Sequence, residues 1–171
     1  MKRATILTIL LAASCIFAED FNLLKNSGFE QKSPHWNYGN IELADGGVNQ
    51  SKKVLLKTDT PSAPNGFRGA LYEEIRKPEG GKYILSGYVR PENLYAVYLN
   101  AIPSPDTGKK VSRFLVTARL EKSEHPGWLR FILPLNLPEN QSSVKIIIQV
   151  FSQTRNAVIS LDNITMIHQK D

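Results

Sequence analysis

Cysteine is nearly absent. Cys15 is the only one in 171 residues and lies in the N-terminal leader, so the rest of the chain can form no internal disulfide. Its stability must come from a buried core, with or without a metal. Histidine is almost as scarce. His35, His125 and His168 precede a Trp, precede a Pro and sit near the C-terminus, and none has a metal-ligand spacing such as HExxH. The chain also lacks a GxSxG nucleophile turn, a CxxC pair and a glycine loop that would cradle phosphate. Serine-based catalysis is not excluded by composition, but no constellation announces it. No apolar run approaches the roughly 20 residues of a membrane-spanning helix.

Charge of one sign is also modest. The formal net charge is +5, of which Lys2 and Arg3 in the leader carry two, leaving +3. The basic residues are dispersed, and the pairs Lys52-Lys53 and Lys109-Lys110 sit beside Gly and Ser as loop solubilisers do. Nucleic-acid binding is therefore not expected.

Residues 1–18 have the layout of a secretory leader: Lys2 and Arg3, the apolar run Ile6 to Ala13, then small residues. Cleavage after Ala18 would release a secreted or periplasmic chain starting at Glu19. The alternative is Leu11-Ala-Ala-Ser-Cys15, which is similar to a bacterial lipobox, with Ala12 where Leu is usual; it would leave the protein lipid-anchored at Cys15. Residues 19–171 are expected to form one domain, a size that buries close to ~70% of its unfolded-chain surface.

What is present is a series of short apolar runs broken by Gly, Pro, Asn and Asp, the pattern of an all-β protein. Strands are expected at Asn22 to Gln31, Lys53 to Thr58, Gly69 to Arg76, Lys82 to Arg90, Tyr95 to Ala101, Val111 to Leu120, Trp128 to Leu135, Ser143 to Phe151 and Val158 to Ile167. Phe114, Val116, Ala118 and Leu120 share one side of their run, opposite Arg113, Thr117 and Arg119. Val144, Ile146, Ile148 and Val150 form an inner row, while Ile147 and Phe151 make the other side partly apolar, as in a central strand. Strands in this number without helices between them predict two packed antiparallel sheets. Glu73 and Glu74 point to opposite faces and cannot act as a neighbouring dyad.

Several segments resemble the galactose-binding-like β-sandwich superfamily, particularly bacterial carbohydrate-binding modules. They are Asn22-Leu-Leu-Lys-Asn-Ser-Gly-Phe-Glu30 followed by Trp36, Ser51-Lys-Lys-Val-Leu-Leu-Lys57, Tyr83-Ile-Leu-Ser-Gly-Tyr-Val-Arg90, Gly127-Trp-Leu-Arg130 and Ile159-Ser-Leu-Asp162. The resemblance implies an all-β, two-sheet antiparallel jelly-roll sandwich. It also implies a structural calcium ion held by Glu30 and Asp162, with backbone oxygens near Ser51 and Lys53. Calcium takes six to eight oxygen ligands at ~2.3–2.6 Å, which two carboxylates and several carbonyls can supply. Without metal, Glu30 is a solvated acid and Asp162 a turn residue bonding its own backbone beside Asn163.

Glycans offer apolar C–H faces and a rim of hydroxyls, so a protein that holds them presents aromatic rings beside amides or guanidinium groups. By parity Tyr88 and Arg90, Tyr98 and Asn100, and Trp128 and Arg130 point outward from their strands, and they are expected to converge on one sheet face. Trp36 and Tyr83 are expected to pack. The expected function is non-catalytic glycan binding. The alternatives are an adhesive, protein-recognising module on the same scaffold and a small glycan-active lyase, which would need Tyr, His or Lys in mutual reach within a basic groove.

Overall fold

The computed structural model describes residues 22–25, 27–30, 36–38, 41–62, 66–105 and 114–169. The leader with Cys15, together with Gln31, His35, Lys109, Lys110 and Arg113, lies outside them. The described strands are β1 (Asn37–Tyr38), β2 (Ile41–Asp45), β3 (Lys52–Thr58), β4 (Thr60–Pro61), β5 (Phe67–Arg76), β6 (Gly81–Val89), β7 (Ala96–Pro105), β8 (Phe114–Thr117), β9 (Arg119–Lys122), β10 (Leu129–Leu137), β11 (Gln141–Ser152) and β12 (Ala157–His168). A single 3-10 turn spans Val48–Gln50, and no α-helix occurs among the described residues.

The strands form two six-stranded antiparallel sheets. The first has the order β1-β5-β11-β7-β8, with β4 added to β5, and the second has the order β2-β3-β12-β6-β10-β9. The expected two-sheet jelly-roll sandwich is therefore the observed fold. Alternation explains it. In β11, Val144, Ile146, Ile148 and Val150 are buried, and they face a second row from β6 and β10 that includes Leu85, Val89, Phe131 and Leu133. Each such side chain contributes roughly 1.5–3 kcal/mol when taken from water. As expected of a central strand, β11 pairs with β5 on one side and β7 on the other.

Two expected strands differ. Residues 22–30 form no strand among their described positions; one bridge joins Asn22 to Ile167, and Leu23 N–H donates to Met166 O at 3.0 Å. The Asn22 side chain explains this, because its Oδ1 accepts from Leu24 N and Met166 N and so replaces a backbone ladder. The two ends still meet as neighbours, and Leu24 and Phe29 enter the core. Of the expected run Val111 to Leu120, the described residues from Phe114 onward belong to two strands, not one: β8 closes the first sheet and β9 the second. Between them Ala118 is buried and donates its N–H to Val97 O. The crossing breaks the parity, and Leu120, expected inside, is 37% exposed.

Trp36 and Tyr83 pack as expected, Trp36 at 5.8 Å from the Phe29 ring. Glu73 and Glu74 do face opposite ways, but Glu73 is only 4% exposed. Its Oε1 accepts from Lys25 N at 3.1 Å, while Oε2 has no partner among the described residues. Trp36 Nε1 donates to Lys25 O, so the same residue is gripped twice.

Burial pushes the Glu73 carboxyl above its ordinary range, partly offset by the Lys25 N–H and the Lys25 charge. A raised folded value favours the neutral form, so stability from this group is complete below the ordinary carboxyl range and is lost as pH rises through the raised value. Glu73→Gln is expected to stabilise the protein at pH 7 and to have little effect near pH 4. Urea unfolding at both pH values checks this; equal stability of the two proteins at pH 7 contradicts it.

Candidate functional site

The six residues expected to form a binding face lie in both sheets and point away from each other across the core. Tyr88 on β6 and Arg130 on β10 are directly opposite in the second sheet, with Arg90 and Trp128 just beyond the strand ends. Tyr98 and Asn100 on β7 belong to the first sheet. The expected convergence on one face is therefore corrected. Parity gives the side of a strand that a residue occupies, and only long-range pairing decides which sheet that strand joins.

The group in the second sheet is engaged internally. Arg90 lies over the Trp128 ring at 4.9 Å from its centroid, and Trp128 is only 5% exposed, so this Trp packs and is not open for stacking. Tyr88 OH donates to Glu124 Oε1 at 2.8 Å, and Glu124 Oε1 lies 3.2 Å from His125 Nε2. The Tyr88 and His125 rings meet edge to face at 5.0 Å. Together these contacts fold the loop between β9 and β10 onto Tyr88. Burial, and then the bond to Glu124, raise the Tyr88 phenol above its usual range.

The outer face of the first sheet has a different character. Cross-strand register aligns Tyr98 on β7 with Gln149 on β11 and Thr117 on β8, and Asn100 with Ile147 and then Tyr72 on β5. Phe151 packs edge to face against Tyr98 at 4.9 Å, and Lys145 Nζ lies 3.8 Å above the Tyr72 ring. Apart from the exposed Thr117, these side chains are half-buried. Asn100 Oδ1 is buried with no hydrogen-bond partner among the described residues. The sequence reading missed Tyr72, Lys145 and Gln149. Their outward parity was readable, but their proximity to Tyr98 depends on the β5-β11-β7 order.

A second constellation surrounds Asp162. The β12 register against β6 slips by one residue between Asp162 and Thr165, and Asn163 takes a positive φ of 45° there. This bulge turns Asp162 under the loop before β3, where the residue is 0% exposed. Its Oδ2 accepts from Val48 N at 2.6 Å and from Ser51 Oγ at 2.7 Å, and its Oδ1 accepts from Asn163 N. Ser51 Oγ also touches Val48 O, so one hydroxyl proton faces two acceptors. Glu30 Oε1 accepts from Lys52 N at 3.0 Å. A Cβ on Gly47 would overlap Asp162 Oδ2 and lie 2.6 Å from Lys52 O and 2.7 Å from Ser51 Oγ. Burial raises the Asp162 carboxyl above its usual range, against the lowering effect of its three donors, and the Glu30 charge raises it further.

These oxygens fit a hard cation in type, with two carboxylates, a hydroxyl and carbonyls crowded together, although Asp162 already accepts from three donors. No group of three or more His, Cys, Asp or Glu with metal-site geometry occurs among the described residues, so carbonyls would have to complete any shell. With protons alone, Asp162 clamps the loop through Val48 and Ser51.

Neither a protein-family model nor a curated protein matches the chain. Solved structures share its fold. A family 61 carbohydrate-binding module, TmCBM61, in complex with β-1,4-galactotriose is 17% identical at a TM-score of 0.56, over 87% of this chain and 99% of that one. A family 16 carbohydrate-binding module is 14% identical at 0.59, over 86% and 100%. The CBM22-1 and GH10 modules of a Clostridium thermocellum xylanase, complexed with xylohexaose, are 13% identical at 0.62, over 88% of this chain and 29% of that one. The chain shares the two-sheet β-sandwich fold of these modules.

Gly47→Ala places a methyl group among the Asp162 cradle oxygens and is expected to cost about 1–3 kcal/mol. Urea unfolding measures it; wild-type stability would mean that the loop opens freely and no cradle constrains it.

Proposed function

We propose that this protein is a non-catalytic carbohydrate-binding domain that holds a glycan chain across the outer face of the first sheet. The observation that carries this reading is the set of half-buried aromatic and amide side chains, Tyr98, Gln149, Asn100 and Tyr72, aligned across three neighbouring strands with an unpaired Asn100 oxygen among them. Rings supply surface for sugar C–H faces and amides pair with hydroxyls. Solved structures of the same fold in complex with galactotriose and xylohexaose support the ligand class.

The proposal includes a calcium ion between Glu30 and Asp162, supported by the oxygen crowding at Gly47 and by the shared proton of Ser51. Its role would be structural, tying the N-terminal segment to β12. The leader supports secretion, with lipid anchoring at Cys15 as the alternative route to the cell surface. A second reading, glycan lyase, rests on Tyr88, Glu124 and His125 in mutual contact. It requires unsaturated products from a uronate polymer, abolished by Tyr88→Phe.

Titration with galacto- and xylo-oligosaccharides tests the binding face. Tyr98→Ala is expected to weaken binding about tenfold, the equivalent of ~1.4 kcal/mol. Asn100→Ala should also weaken it, and Tyr88→Ala on the opposite face should not. Undiminished binding by both first-sheet variants, with the fold intact, rejects this face. For the metal, a chelator should lower the melting temperature and added calcium should restore it, because an ion bound only to the folded state stabilises by mass action. A melt indifferent to both removes calcium from the proposal.

A further inference from the structure

One end of the sandwich carries a cavity of about 290 Å³, lined by Asn93, Leu94 and Tyr95 from the β6–β7 connection and by Ser152, Gln153 and Thr154 from the β11–β12 connection. Its volume is near the lower limit of small-molecule sites, enough for a ligand of about one sugar ring. Tyr95 stands beside it 66% exposed, the only described aromatic side chain so far into solvent. An exposed ring gains nothing from the core, whereas at a cavity mouth it offers a flat apolar surface.

The walls are held in place by backbone contacts. Tyr95 N donates to Phe151 O at 2.7 Å, and Leu94 N to Pro91 O at 3.1 Å across a turn in which Asn93 has a φ of 61°. On the other side Thr154 N donates to Ser152 Oγ, and Thr58 Oγ1 donates to both Thr154 O and Ala157 O. The side-chain amides of Asn93 and Gln153 are exposed at the cavity, placed to bond a ligand. No lining residue is charged, so nothing in the wall would compensate a carboxylate or sulfate.

We infer that this cavity is a second glycan site, taking a single neutral sugar ring at the end of a chain, stacked on Tyr95 and hydrogen-bonded by Asn93 and Gln153. It rests on the reading that the protein binds glycan, but it shares no residue with the first-sheet face. A small, half-open hollow on the rim suits a terminal ring, whereas the broad sheet face suits an internal stretch of chain.

Nitrogen–proton NMR of the protein during titration with methyl galactoside, methyl xyloside and methyl glucoside separates the two sites. Amide shifts at residues 93–95 and 152–154 are expected with at least one of these sugars. Tyr95→Ala, an exposed position with little bearing on folding, should weaken that response tenfold or more, and Tyr98→Ala should leave it unchanged. Galacturonic acid should elicit a much smaller response. Shifts confined to Tyr98, Asn100 and Gln149, in these titrations and with oligosaccharides, overturn the end site and retain the face. The absence of shifts in either region with any of these sugars or with oligosaccharides overturns both. An equal response to galacturonic acid overturns the assignment to neutral sugars.

Discussion

One extra residue in β12 governs much of this structure. Before the bulge the inward side chains are Ile159 and Leu161, and after it they are Ile164 and Met166, all fully buried. Without the slip at Asp162 and Asn163, either half of the strand would present its apolar row to solvent. The same slip turns a carboxylate beneath the Gly47–Ser51 loop and leaves Ile164 N to donate to Ser27 O. Core continuity, the Asp162 cradle and the docking of the N-terminal segment therefore depend on a single local irregularity.

That dependence explains what was legible in the sequence. Alternation in residues 82–90, 128–135 and 143–151 is a local property, and β6, β10 and β11 follow it closely. The pairing of Glu30 with the Asp162 neighbourhood was readable only through family resemblance, and the structure brings Lys52, Ser51 and Gly47 to the same place. Sheet membership was not readable. Tyr98 and Tyr88 have equivalent patterns around them, yet one strand joins β11 and the other β12. The break at Ala118 was equally hidden, because a strand that changes sheets keeps its apolar composition and loses only its phase.

The division between the faces follows from what each outward side chain already touches. In the second sheet Arg90 covers Trp128 while Tyr88 meets Glu124 and His125, although Arg90 Nε is itself buried without a partner among the described residues. In the first sheet the strands bring polar and aromatic groups into register without fully pairing them, and Asn100 is the clearest case. Backbone ladders between β5, β11 and β7 fix the register in which these groups are presented.

The outermost strands have a further consequence. The first sheet ends in β1, with two residues, and β8, with four, and the second in β2, with five, and β9, with four, around central strands of up to twelve. Among the described residues each outermost strand is thus less than half as long as the longest strands, and a short edge strand gives a neighbouring copy little ladder to extend.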